Sequence, residues 1–285
     1  MAKNMMKKTI CLAIAVASAC ASLATMTACE TSKPKVEMVL EFNEKTYTLE
    51  YNLNRNLTPT TARHFLELVD GKFYNGLCIH DYQTAAWYTG VYEYKEDTNS
   101  LVYRSYLDAV KKLEEKGLFT PTVWNDEQKT DPTYTLYGEF SKNSFRVENG
   151  SVRNSFGALT MRYTSKGDFA DTLVWGQRSD GNGVSSKEYG YNSATSMFSI
   201  NVSSVTSGFN EYCTFAELEE DSVEVLQSLQ SAIEEYVESH VDAEDFTLQT
   251  EATINEEDAY AHADVAYFST PVEPIKIASM KVTKW

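Results

Sequence analysis

The residues best suited to hold a metal are four histidines, His64, His80, His240 and His262, and five cysteines, Cys11, Cys20, Cys29, Cys78 and Cys213. None of them stands at metal-ligand spacing, so no metal site and no cofactor is expected. The acids at Asp97, Glu114-Glu115 and Glu256-Glu257-Asp258 read as solvated faces rather than ligands. Cys29 is different. It directly follows Met26-Thr27-Ala28, and small residues immediately before a cysteine resemble the bacterial lipobox, in which that cysteine is acylated. Met26 stands where leucine is commoner.

The flanking sequence fits that chemistry. Lys3, Lys7 and Lys8 form a basic start, and an apolar, alanine-rich stretch runs from Ile10 to Ala24. The stretch is short for a spanning helix, which needs about 20 apolar residues, and reads as a secretory signal over residues 1–28. Residues 29–35 then form a polar tether. At ~3.3 Å per residue it reaches ~20 Å, which would hold the domain close to a bilayer. Lipid anchoring on the extracytoplasmic side of the cell membrane is the expected location. Only Cys78 and Cys213 remain in the body, either as one disulfide or as two buried free thiols.

The 285 residues carry 25 Lys+Arg against 41 Asp+Glu, a net charge of −16. No acid precedes Glu30, so the body without its first 28 residues is more acidic still. Such a surface repels a phosphate backbone and anionic headgroups alike, which excludes nucleic acid as a partner and leaves membrane attachment to the lipid. A hydrophobic content of 42% with 12% aromatics is that of a folded domain.

The elements that must position any site can be read from periodicity. Val36 to Phe42 and Lys45 to Leu53 alternate around Asn43-Glu44, which predicts an antiparallel hairpin with Tyr47, Leu49 and Tyr51 on one face. Thr58-Pro59 opens a helix over residues 58–69 with the stripe Ala62, Phe65, Leu66, Val69. A second is expected over 222–238, N-capped by Ser222, with Val223, Leu226, Leu229, Ile233 and Val237 inward. A third, capped by Ser100 and stopped by Gly117, carries Val102, Tyr106, Ala109, Val110 and Leu113.

These blocks resemble the cyclophilins. The run from Thr58 through Phe65-Leu66, Gly71-Lys72-Phe73-Tyr74-Asn75-Gly76 and on to His80 is similar to that family's first helix, turn and strand. Tyr137-Gly138-Glu139-Phe140, Phe156-Gly157-Ala158-Leu159-Thr160-Met161, Asn192-Ser193-Ala194-Thr195-Ser196-Met197-Phe198-Ser199-Ile200 and Pro274 to Val282 follow in the family's order. The resemblance implies a mainly β fold, an eight-stranded antiparallel barrel capped by two helices, here over residues 36–285. Insertions are expected at about 95–133, 165–191 and 239–268, the second loop-like and the third acidic.

The resemblance also implies an activity, isomerisation of the peptide bond before proline, whose barrier is ~18–20 kcal/mol. Cyclophilins lower it with an arginine that donates to the substrate, a phenylalanine and a methionine around the proline ring, and a glutamine and an asparagine on the backbone. In this sequence the arginine position is Asp81. The pocket residues are Ala86 and Trp87, and the glutamine is Thr89. The asparagine falls in Arg162-Tyr163-Thr164, and Tyr163 is assigned to the groove. Met197 and Ser199 replace a glutamine and a phenylalanine, and Tyr212 aligns with the rim histidine. Arg162 is the nearest candidate to supply the missing guanidinium. The resulting expectation is a monomeric, lipid-anchored protein that binds proline-containing or extended peptide segments with its isomerase activity weak or lost. The alternative is a structural surface lipoprotein that uses the barrel as a scaffold for its insertions.

Overall fold

The computed structural model describes residues 31–124, 128–140, 153–163, 173–177, 184–188, 193–203, 212–240, 246–253 and 265–285. The signal and lipobox expected over residues 1–29 lie outside them, as do Thr164 and the acids and histidine at 256–262.

Alternating apolar residues make the first hairpin. β1 (Lys35–Phe42) buries Val36, Met38, Leu40 and Phe42, and β2 (Lys45–Leu53) buries Leu49, Tyr51 and Leu53. Phe42 pairs with Lys45 across a two-residue loop in which Asn43 and Glu44 both take positive φ, 46° and 61°. That geometry matches the twist of the strands it joins. The remaining strands of this sheet are β3 (Asp81–Tyr82), β4 (Ala86–Thr89), β8 (Leu136–Tyr137), β9 (Leu159–Tyr163), β12 (Ser193–Asn201), β13 (Thr214–Leu218) and β16 (Lys276–Lys284). Their order is β16-β1-β2-β13-β9-β12-β4-β3, with β8 also on β12. The stretch just before β3, residues 76–79, runs against β16. Ile277 N–H donates to the Leu77 carbonyl, Gly76 N–H to Ile277 and Ile79 N–H to Ile275. The fold is mainly β, an antiparallel curled sheet with eight strands in its main path and β8 beside it.

Helix α1 (Pro59–Asp70) plugs one end. The expected stripe is buried, and Phe65 meets Phe215, Tyr74 and Phe198 at 4.8, 5.2 and 5.4 Å between ring centres. Burying one such ring contributes about 1.5–3 kcal/mol. Helix α3 (Glu220–His240) packs on β2 and buries Leu226, Leu229 and Ile233. It starts before Ser222, whose hydroxyl is not a helix cap but accepts the Glu50 N–H of β2 at 2.9 Å.

The first insertion differs from expectation. Ser100 caps no helix; β6 (Ser100–Tyr103) pairs with β5 (Tyr92–Lys95) through a turn with Asn99 at φ 47°. The aromatic run Tyr92-Glu93-Tyr94 supplies a strand partner, and a strand then wins over local helix propensity. Helix α2 (Tyr106–Glu115) begins after it, capped by Ser105, whose hydroxyl accepts the Asp108 N–H. Gly117, at φ 71°, stops it as expected. The second insertion is not all loop: β10 (Leu173–Gln177) pairs with β11 (Val184–Glu188) and with β7 (Val123–Trp124) of the first. The third forms the hairpin β14 (Thr247–Thr253) and β15 (Val265–Pro271). Cys78 and Cys213 are buried free thiols. Among the described residues no helix is long and apolar enough to cross a membrane.

Candidate functional site

Register fixes which side chains share a face, because residues directly opposite in antiparallel strands point the same way. Asp81 on β3 pairs with Tyr88 on β4, Tyr88 with Ser199 on β12, and Ser199 with Thr160 on β9. This row crosses four strands. The next one, Tyr82, Trp87, Ile200 and Leu159, points the other way, and so do Thr89, Phe198 and Met161. Phe198 belongs to the aromatic core under α1, so the row of Asp81, Tyr88 and Ser199 is on the outer face.

The sequence-assigned groove residues therefore divide. Trp87 is 1% exposed and stacks on Tyr82, with ring centres 5.4 Å apart. Thr89 is fully buried and donates its hydroxyl to the Cys78 carbonyl at 2.7 Å. Gly90 follows at φ 107°, where a side chain would run into the Ser196 carbonyl. The structure thus places Trp87 and Thr89 in the interior. Ala86, half-buried, shares the outer face with Tyr88. Met197 is half-buried against a second small core of Cys78, Val91, Tyr92, Leu101 and Ala252, of which Leu101 and Ala252 come from inserted strands. Tyr212 is 42% exposed. Tyr163 pairs with Ala194 in the β9–β12 ladder, and its side chain lies outside what is described.

The outer row has its own electrostatics. The Arg162 guanidinium lies 5.1 Å from the centre of the Tyr88 ring, a cation held over an aromatic face. Asp81, on the other side of Tyr88 in sequence register, is half-buried. Its Oδ1 accepts from Gln83 Nε2 at 2.7 Å and from the Ser269 amide at 3.2 Å. The structure thus brings Asp81, Ser199 and Arg162 to one face around Tyr88, a residue that sequence motifs did not single out for the groove. Period-two alternation from Thr89 would have found it.

His80, beside Asp81, is fully buried between the edges of Tyr92 and Phe268, at 4.9 and 4.7 Å. Neither ring nitrogen has a hydrogen-bond partner. Burial, with Arg162 nearby, holds its pKa down to about 3, so the ring is neutral at physiological pH. Among the described residues no three His, Cys, Asp or Glu side chains are grouped to hold a metal ion.

A carboxylate at Asp81 cannot perform what a guanidinium would at that point. It accepts hydrogen bonds, whereas a twisting prolyl amide needs a donor to its nitrogen or carbonyl. The guanidinium set over Tyr88 in this row is that of Arg162.

The family model for cyclophilin type peptidyl-prolyl cis-trans isomerase/CLD matches residues 38–255. Among solved structures, a cyclophilin type peptidyl-prolyl cis-trans isomerase of Cryptosporidium parvum is 14% identical at a TM-score of 0.42. The alignment covers 89% of this chain and 99% of that one. The structure of that protein in the presence of the dipeptide Ala-Pro is 13% identical at the same TM-score, covering 88% and 99%. No curated protein matches. The matched span runs from β1 to just beyond β14 and takes in the helix, turn and strand motifs around positions 58–80, 137–140, 156–161 and 192–200. On that match, the chain belongs to the cyclophilin-type peptidyl-prolyl cis-trans isomerase family.

Proposed function

We propose that this protein is a lipid-anchored, extracytoplasmic cyclophilin-type protein that holds extended or proline-containing peptide segments and isomerises them weakly or not at all. The observation that carries the reading is Asp81, a hydrogen-bond acceptor at the position where the family's catalytic arginine donates. One transition-state donor is worth about 3–4 kcal/mol, or a hundred- to a thousand-fold in rate. The outer row supports binding without catalysis: an aromatic face at Tyr88, a cation at Arg162 and a hydroxyl at Ser199 can grip an extended chain. Binding of a panel of proline-containing and proline-free peptides to the purified protein and to Tyr88→Ala tests this reading. Micromolar or tighter binding that Tyr88→Ala weakens is expected; equal binding by both proteins would remove the outer row from the site. Anchoring rests on Met26-Thr27-Ala28-Cys29. Two acyl chains give stable membrane attachment. Cys29→Ala is expected to shift the protein out of the membrane fraction or to accumulate as precursor, and unchanged fractionation would refute lipidation.

A further inference from the structure

The β14–β15 hairpin of the third insertion lies along the edge of β3 that β4 leaves open. Among the described strands β3 pairs in a ladder with β4 alone, and β14–β15 is a sheet of its own. Side chains bridge the gap instead. The Ser269 amide donates to Asp81 Oδ1 at 3.2 Å, and Thr270 Oγ1 donates to the His80 carbonyl at 2.8 Å. The Phe268 ring closes over His80 and Tyr92 at 4.7 and 5.3 Å. Ala252 of β14 packs into the small core that Met197 touches.

We propose that β14–β15 is a built-in strap, latched by Asp81, that occupies the β3 edge and must leave before an extended segment can reach it. The proposal rests on the peptide-binding reading above and adds its regulation. An open strand edge is a template for another strand. Here that edge is filled by a segment of the same chain, held through side-chain contacts rather than a ladder, and so is easier to displace than any strand of the main sheet. The latch also accounts for the residue type at position 81. A carboxylate accepts the Ser269 N–H, whereas an arginine at the same point would meet that donor with donors of its own.

Hydrogen–deuterium exchange on the protein and on its Asp81→Ala, Asp81→Asn and Thr270→Val variants tests the strap. Amides of residues 265–270 are expected to exchange on the order of ten-fold faster in Asp81→Ala and in Thr270→Val, with β1 and β2 unchanged. Asp81→Asn keeps an acceptor oxygen and is expected to stay near the wild-type rate. Unchanged exchange in both Asp81→Ala and Thr270→Val, or Asp81→Asn as fast as Asp81→Ala, overturns the latch. A fluorescent proline-containing peptide supplies the second arm. Several-fold tighter binding to both released variants is expected. Equal, measurable binding by all forms overturns occlusion and leaves the peptide-binding reading standing. No binding by any form overturns both.

Discussion

Glu139 is the residue on which the strongest single stability effect is expected. Helix α1 begins with Pro59, which has no N–H to satisfy. The next two amides, Thr60 and Thr61, donate to Glu139 Oε1 and Oε2 at 3.0 and 2.9 Å, and Ala62 donates to the Thr58 carbonyl. Every early donor of the helix is thereby accounted for, and one carboxylate from 78 residues away supplies half of the answer. Glu139 is 4% exposed, so water cannot replace it. Glu139→Ala strands the buried Thr61 N–H at about 1–3 kcal/mol and the half-buried Thr60 N–H at less, together roughly 2–4 kcal/mol of a total of about 5–15. Glu139→Gln keeps one acceptor and is expected to lose about half of that. Burial raises the Glu139 pKa more than the two backbone donors lower it. A carboxyl that binds its proton more tightly when folded contributes less as pH rises through its folded pKa. The deficit of the Gln variant should accordingly shrink between pH 4 and pH 7. Urea denaturation gives these energies, and amide exchange at Thr60 and Thr61 locates them. An Ala variant within 1 kcal/mol of wild type would refute the capping argument.

Two further outcomes are expected. Burial holds His64 and His80 down to about 3, whereas an unfolded histidine titrates near 6.5. The unfolded chain therefore takes up protons first, and stability falls as pH drops from about 6.5 toward 3, by up to ~1.4 kcal/mol per unit for each histidine. Denaturation midpoints that stay flat between pH 7.5 and pH 5 would contradict this. Burial likewise pushes the Cys78 thiol up to about 12 and Cys213 higher still, so neither should react with a disulfide reagent before the protein unfolds. Labelling faster than unfolding would count against the packing described.

Periodic elements were the legible ones. The β1–β2 hairpin and the α1 stripe followed from local alternation and spacing, since each buries its own pattern against the same core. Thr58 looked like the cap of α1, yet its hydroxyl donates to the Asn54 carbonyl and Glu139 does the capping. Nothing local announces a partner so far along the chain. Ser100 misled because β6 exists through its pairing with β5, a tertiary contact. At the site, motif spacing assigned positions to the groove but could not give their facing. Trp87 and Thr89 turn inward, and the outer row is built on Tyr88 instead. The contact between Asp81 and Ser269 joins residues 188 apart, and sequence offers no rule for where an inserted hairpin folds back.

The central claim is that the family scaffold is present without the family's catalytic donor. Exchange spectroscopy by NMR on a standard X-Pro peptide, with catalytic amounts of the purified protein, tests it most directly. The account predicts cis/trans exchange near the uncatalysed rate, at least about a hundred-fold below that of a family member with its arginine in place. Substituting Asp81→Arg should recover little, because Thr89 is buried, Ala86 offers only a methyl group where the family has a phenylalanine ring, and the new side chain would displace the Ser269 amide. Fast exchange by the wild-type protein, abolished by Arg162→Ala, would contradict the account and make Arg162 the catalytic guanidinium.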